Sequence, residues 1–173
     1  GMDKIIIIGG GAAGIAAAIA AAECGKKAVI YEKNEKLGKK LYITGKGRCN
    51  VTNNCDEDSF LKAVRRNPRF LYSAIYRFST ADTMAFFEGL GVPLKTERGN
   101  RVFPVSDRAA DIVDALHRYV KRSGAELREL VQNAEHAPAR AERIACLGVS
   151  GSFSHEAVKH LYPGAEPLFF DNF

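Results

Sequence analysis

Four consecutive isoleucines break into glycine at residues 5–14, IIIIGGGAAG, and that break constrains the chain more than any other feature. An unbroken run of β-branched residues reads as a strand buried on both faces, as parallel strands are. The glycines that follow read as a tight turn. Residues 12–24 are mostly alanine, with Ile15 and Ile19 four apart, and form a helix pattern closed by Gly25. Residues 27–31 (KAVIY) supply a second strand that ends at Glu32. A complete β-turn-α-β unit therefore fits into about thirty residues.

The turn satisfies G-x-G-x-x-G through Gly9, Gly11 and Gly14. The spacing alone is weak, but a strand precedes it, a helix opens from it, and an acidic residue ends the next strand. Gly9 permits the tight turn, Gly11 lets backbone amides approach a pyrophosphate, and Gly14 lets the helix pack close on the strand. Ala12 and Ala13 open that helix, whose positive end suits an anion. Glu32 stands where a ribose hydroxyl needs an acceptor. The pattern points to a dinucleotide, and FAD and NAD(P) proteins share it.

Further along, residues 33–55 are rich in Lys, Gly and Asn and read as a long functional loop with one helical turn at most. Helices are expected over 57–65, over 68–78 with Pro68 in the first turn, and over 80–89. Residues 92–105 read as a hairpin turning at Gly99-Asn100. A helix over 107–123 and a strand over 125–131 follow. Pro138 and a polar, alanine-rich composition mark 132–141 as a linker. Beyond it come a strand (143–149), a short helix (152–161) and a strand (166–171), and the chain reads as truncated at Phe173. The expected class is α/β: a Rossmann-like parallel sheet with helices on both faces.

Charge is unevenly placed. The net charge is +5 over 173 residues, yet residues 26–48 alone carry eight Lys/Arg against Glu32 and Glu35. Such a cluster suits a small polyphosphate, and with no nucleic-acid-binding signature beside it no nucleic-acid role is expected. Cys24, Cys49, Cys55 and Cys146 form neither a dense disulfide framework nor a metal pattern, so reduced thiols in the cytoplasm and no metal are expected. Residues 5–22 are uncharged enough to imitate a membrane span, but their glycines and alanines argue against one, and no membrane role is expected.

Three blocks resemble the YhiN/BaiN-type flavoproteins, the aminoacetone-oxidase-like FAD-binding enzymes: IIIIGGGAAG, YEKNEKLGKKLYITGKGRCNVTN (31–53) and TERGNRVFPVSDRAADIVDAL (96–116). The resemblance covers about residues 2–131. It implies an FAD-dependent oxidoreductase whose glycine turn and Glu32 bind the ADP half of FAD, with NAD(P)H as electron donor. It further implies that Lys33, Lys40 and the Gly47-Arg48-Cys49-Asn50 loop lie along the cofactor, and the strand Arg101–Pro104 near the flavin side. Lys40 and Arg48 are suited to balance pyrophosphate charge, and Asn50 and Thr52 to bond a flavin edge or ribityl hydroxyls. Val131 would meet adenine through its backbone. No residue is assigned to catalysis, and the small-molecule substrate is unread.

Residues 142–173 resemble instead the opening of a prephenate dehydratase domain, without that enzyme's Thr-Arg-Phe motif. Thirty-odd residues are too few to fold alone. They are expected either to extend the parallel sheet through RIACLGV or to lie between subunits of a homo-oligomer. Two alternatives stay open: a non-catalytic nucleotide-binding fragment joined to this second start, and a dithiol flavoenzyme using Cys49 and Cys55.

Overall fold

The computed structural model describes residues 4–129, 143–147, 158–159 and 162–170. In chain order the elements are β1 (Lys4–Ile8), α1 (Ala12–Glu23), β2 (Lys27–Glu32), α2 (Lys39–Ile43), β3 (Thr52–Asn53), α3 (Glu57–Ala63), α4 (Tyr72–Arg77) and α5 (Thr80–Gly89). They continue with β4 (Leu94–Glu97), β5 (Arg101–Pro104), α6 (Ala109–Arg122), β6 (Glu126–Glu129), β7 (Arg143–Leu147) and β8 (Glu166–Phe170). They form two compact units, one from Gly1–Lys39 with His117–Asp171, the other from Lys40–Leu116.

The first unit holds a five-stranded sheet in the order β6-β2-β1-β7-β8. Every neighbouring pair in it is parallel. β1 and β2 run in register from Lys4 opposite Lys27 to Ile8 opposite Tyr31. Alternation along the strands sends Ile7, Ala28 and Ile30 to one face and Ile6, Val29 and Tyr31 to the other. α1 covers the first face with buried Ile15, Ala18 and Ile19, and Gly14 meets Ile7 there. Val158 and Tyr162 cover the second, in one buried cluster with Ile6, Val29 and Tyr31. A strand buried on both faces needs the continuous apolar run that IIII supplies.

The C-terminal segment thus joins the first sheet: β7 pairs with β1, β8 pairs with β7, and Val158 and Tyr162 pack on β1 and β2. Of the helix expected over 152–161, only residues 158–159 are described, and they are helical. The span-like stretch 5–22 divides into strand, turn and helix. Among the described residues no helix is long and apolar enough to cross a membrane.

The second unit is built on a three-stranded antiparallel sheet, order β3-β5-β4. The β4–β5 hairpin turns through Gly99 (φ 76°) and Asn100 (φ 58°), the positive-φ conformations those residue types tolerate best. β3 places Thr52 opposite Val102, on the other side of β5 from β4. Only two residues long, it lay inside the loop expected over 33–55. α2 and a 3-10 turn (Thr44–Gly47) occupy the same stretch.

The helix expected over 57–65 stops at Ala63. That expected over 68–78 begins as a 3-10 turn, Pro68–Leu71, before α4. α5 opens on a capping box: the Ser79 hydroxyl accepts from the Asp82 N–H, and the Asp82 carboxylate accepts from the Ser79 N–H. α6 buries Ala109, Ile112, Val113, Leu116 and Val120 along one stripe.

Candidate functional site

The first unit carries the glycine turn between β1 and α1, and its glycines do different work. Gly9 has φ 100° and its N–H donates to Tyr31 O at 2.8 Å, which joins the turn to β2. A Cβ on Gly14 would collide with Gly9 O, so only glycine lets the helix approach so closely. Gly10 had no role in the sequence reading, yet a Cβ there would strike Leu37 Cδ2 and crowd Glu32. A Cβ on Gly11, as on Gly9, would meet nothing within 4 Å, but Gly11 has a φ of −74° that any residue adopts. The fold places no steric demand on that glycine.

Gly11 is also the N-cap of α1. The helix has no side-chain cap and no acidic residue in its first turn. Gly11 and Ala12 are exposed and Ala13 is half-buried. The first-turn amides of a helix lack intrahelical acceptors, so an uncapped, exposed start offers them to an anion.

Glu32 closes the other side of the turn. Its carboxylate is buried, with Oε2 accepting from Gly10 N–H at 2.7 Å and Oε1 from Asn34 N–H at 2.8 Å and Asn34 Nδ2 at 2.6 Å. Lys39 Nζ lies 3.2 Å from Asn34 Oδ1, and Gly38 N–H donates to Gly10 O at 2.7 Å. Glu32 therefore fixes the turn itself and keeps acceptor capacity on Oε2 for a hydroxyl. Lys33, next in the chain, is exposed.

The remaining expected residues lie in the second unit, except Val131, which lies outside the described residues. Lys40 is exposed on α2. Gly45, Lys46, Gly47 and Cys49 all have positive φ, a winding loop after α2. Arg48 sits in it with its guanidinium 4.0 Å from the centre of the Phe103 ring. Its Nη1 donates to Glu97 Oε1 at 3.0 Å and Asp107 Oδ1 at 3.2 Å. Lys95 joins them, 2.7 Å from Asp107 Oδ2 and 3.4 Å from Glu97 Oε1. The Arg48 hydrogen bond holds the Glu97 carboxyl below its ordinary range, and Lys95 does the same for Asp107. Arg48 thus has two carboxylate partners of its own, a network that residue spacing did not reveal.

The Cys49 thiol is buried, and burial pushes its pKa up. Cys55 is raised by the same cause, aided by Asp56 and Glu57. Both are free thiols. Neither is activated as an attacking thiolate would be, so nothing here favours the dithiol reading. With its amide oriented to suit its neighbours, Asn50 Nδ2 donates to Thr52 O at 3.1 Å and Val102 O at 3.2 Å. Asn53 donates to Gly99 O and Asn54 to Thr96 Oγ1, so those two asparagines tie β3 to the hairpin.

Strand, glycine turn, uncapped helix and acidic strand end together define a Rossmann-type dinucleotide-binding domain. Residues 3–155 match the HI0933-like protein Rossmann domain. The chain belongs to that family, the YhiN/BaiN-type FAD-dependent oxidoreductases, and its cofactor is FAD. The match runs past residue 131, through the stretch expected as a linker. A 3-dehydro-bile acid delta(4,6)-reductase of Clostridium scindens is 40% identical over 123 residues, 70% of this chain and 29% of that protein. A ribosomal RNA dihydrouridine synthase of Haemophilus influenzae is 30% identical over 122 residues, 70% of this chain and 30% of that one. The chain therefore spans under a third of these relatives. A solved structure, Thermovibrio ammonificans THI4, overlays with a TM-score of 0.49 at 14% identity, covering 91% of this chain and 50% of that one.

Proposed function

We propose that this chain forms the ADP-binding portion of an FAD-dependent reductase that saturates a carbon–carbon double bond conjugated with a carbonyl. The observation that carries the reading is the open space at Gly11, beside exposed first-turn amides and the Glu32 carboxylate. In this reading the amides of Ala12 and Ala13 bind the pyrophosphate, Gly11 lets it approach, and Glu32 Oε2 accepts from a ribose hydroxyl. Lys33 and Lys40 add positive charge along the cofactor. Bound FAD supplies two-electron chemistry, by which electrons from NAD(P)H reach the double bond and a hydrogen is added at each carbon.

The substrate class is argued from the relatives. A 3-dehydro-delta(4,6) steroid and a uridine both present a double bond conjugated with a carbonyl, and the two named activities remove it. The free thiols at Cys24, Cys49 and Cys55 support a cytoplasmic setting. An absorbance spectrum of the purified chain tests the reading. Flavin bands at about 375 and 450 nm, retained or restored on adding FAD, are expected. A chain that stays colourless and takes up no FAD overturns it.

A further inference from the structure

The second unit carries aromatic rings on its surface with charge of both signs beside them. Phe70 is 46% exposed, Tyr72 57%, Tyr76 48% and Phe78 52%. Lys62, Arg65, Arg66, Arg69 and Arg77 run among these rings, all exposed, with no acidic residue in 62–78. Asp56, Glu57 and Asp58 stand just before them at the start of α3, Asp56 and Asp58 exposed and Glu57 half-buried. Among the described residues, Arg65, Arg66, Arg69, Arg77 and Glu57 belong to no ion pair.

The local fold holds rings, cations and carboxylates together. Ile75 is buried and Leu71 and Ala74 are half-buried, which gives α4 and the turn before it an inward stripe. Arg69, Tyr72, Ser73 and Tyr76 then fall on the outward side at spacings of three and four. The Tyr72 and Tyr76 rings lie 4.6 Å apart. The Tyr76 hydroxyl donates to Asp58 Oδ1 at 2.8 Å, which sets the acidic end of α3 at the edge of the rings. A large ring left half open exposes about 100 Å², so four of them supply about 400 Å². That falls within the roughly 300–600 Å² at which an apolar patch on a monomer marks a contact surface.

We infer that this face pairs with the same face of a second copy of the chain about a two-fold axis. Rings meet rings at its centre, and the carboxylates at 56–58 of each copy meet the cations at 62–69 of the other. A two-fold contact must be self-complementary, and a surface with both charges beside one apolar centre meets that requirement. A stable dimer buries about 800 Å² on each partner, of which the rings supply about half and the charged rim the rest. A polyanion, whether a membrane surface or an acidic chain, would use the cations alone and set like charge against the three carboxylates. Nor does so short a helix offer the long apolar face that inserts into a bilayer. The contact lies wholly within the second unit and does not depend on the FAD reading.

Sedimentation velocity on the full chain, over a rising concentration series, tests this. A monomer–dimer equilibrium in the micromolar range that weakens as salt rises is expected. Tyr72→Ala should weaken dimerisation about tenfold or more, as removal of an aromatic anchor does. Arg66→Glu should weaken it by roughly the same factor, because like charges then face each other. So should Glu57→Lys, which leaves the Asp56 cap and the Asp58–Tyr76 bond in place. Mixing these two charge variants in equal amounts should recover dimers, since each altered charge then meets its altered opposite. Unfolded variants could not recover in this way. A chain that stays monomeric throughout the series overturns the proposal. So do dimers that ignore Tyr72→Ala, or charge variants that associate no better mixed than alone. A monomer that binds phosphatidylserine vesicles through Tyr72 would reassign the face to a membrane and also overturn it.

Discussion

The buried Glu32 carboxylate accepts the Gly10 N–H at 2.7 Å, so the acidic residue at the end of β2 is bonded to the glycine turn at the end of β1. A residue expected to serve a ribose also organises the turn proposed to serve the pyrophosphate. The ends of β1 and β2 are thereby held in a fixed relation.

Glu32→Ala should therefore damage stability as well as binding. It leaves the Gly10 and Asn34 donors without their carboxylate, which costs about 1–3 kcal/mol when such groups stay buried. The urea midpoint should fall, and calorimetry should show weaker ADP binding. A variant that loses affinity at unchanged stability would show that the Gly10 bond contributes nothing to the fold.

The C-terminal segment gives a second test. Val158 is 1% exposed against Ile6, Val29 and Tyr31. Val158→Ala removes two buried methyl groups and should cost about 2 kcal/mol. ADP affinity should hold, because the cluster lies on β1 and β2 and involves neither the turn glycines nor Glu32. An unchanged unfolding midpoint would mean that this segment does not cover the sheet.

Much of this was legible in the sequence, and for definite reasons. Ile5 to Ile8, the spacing of Gly9, Gly11 and Gly14, and the end of β2 at Glu32 are local signals that their own residues determine. The hairpin was legible because Gly99-Asn100 is a turn pair whatever surrounds it. β3 was not, since two residues carry no period and Thr52 pairs with Val102 fifty positions on. The loop with Lys46 and Cys49 in positive φ was hidden because neither residue type advertises that conformation. The role of Gly10 is a matter of contact with Leu37, and the Arg48 network spans residues 48 to 107; both are properties of packing.

Acid should release the Arg48–Glu97–Asp107–Lys95 network. Both carboxyl groups have folded pKa values depressed by their cationic partners, Glu97 first by Arg48 and Asp107 first by Lys95. A depressed folded value stabilises the fold fully above the ordinary carboxylate pKa of about 4, and that stability is lost as pH falls through the folded value. Thermal unfolding followed from pH 7 downward should show the wild type losing stability below about pH 4 more steeply than Glu97→Gln. Since Asp107 is exposed and Glu97 only half-buried, high salt should shrink the difference. Identical pH profiles for the two proteins would remove the network from the stability account.

The contrast between Gly11 and Gly14 reaches the central claim, that the turn exists to receive the ADP half of FAD. Calorimetric titration of ADP into the wild type and Gly11→Val, with unfolding measured on the same samples, is the decisive measurement. Gly14→Ala, where a Cβ meets Gly9 O, serves as the comparison and should cost about 3 kcal/mol or more in stability. Gly11→Val, whose Cβ meets no protein atom within 4 Å, should leave the circular dichroism spectrum and urea midpoint close to wild type. Its ADP binding should fall below detection, because the side chain occupies the place of the pyrophosphate. A folded Gly11→Val protein that binds ADP as tightly as the wild type would contradict the account.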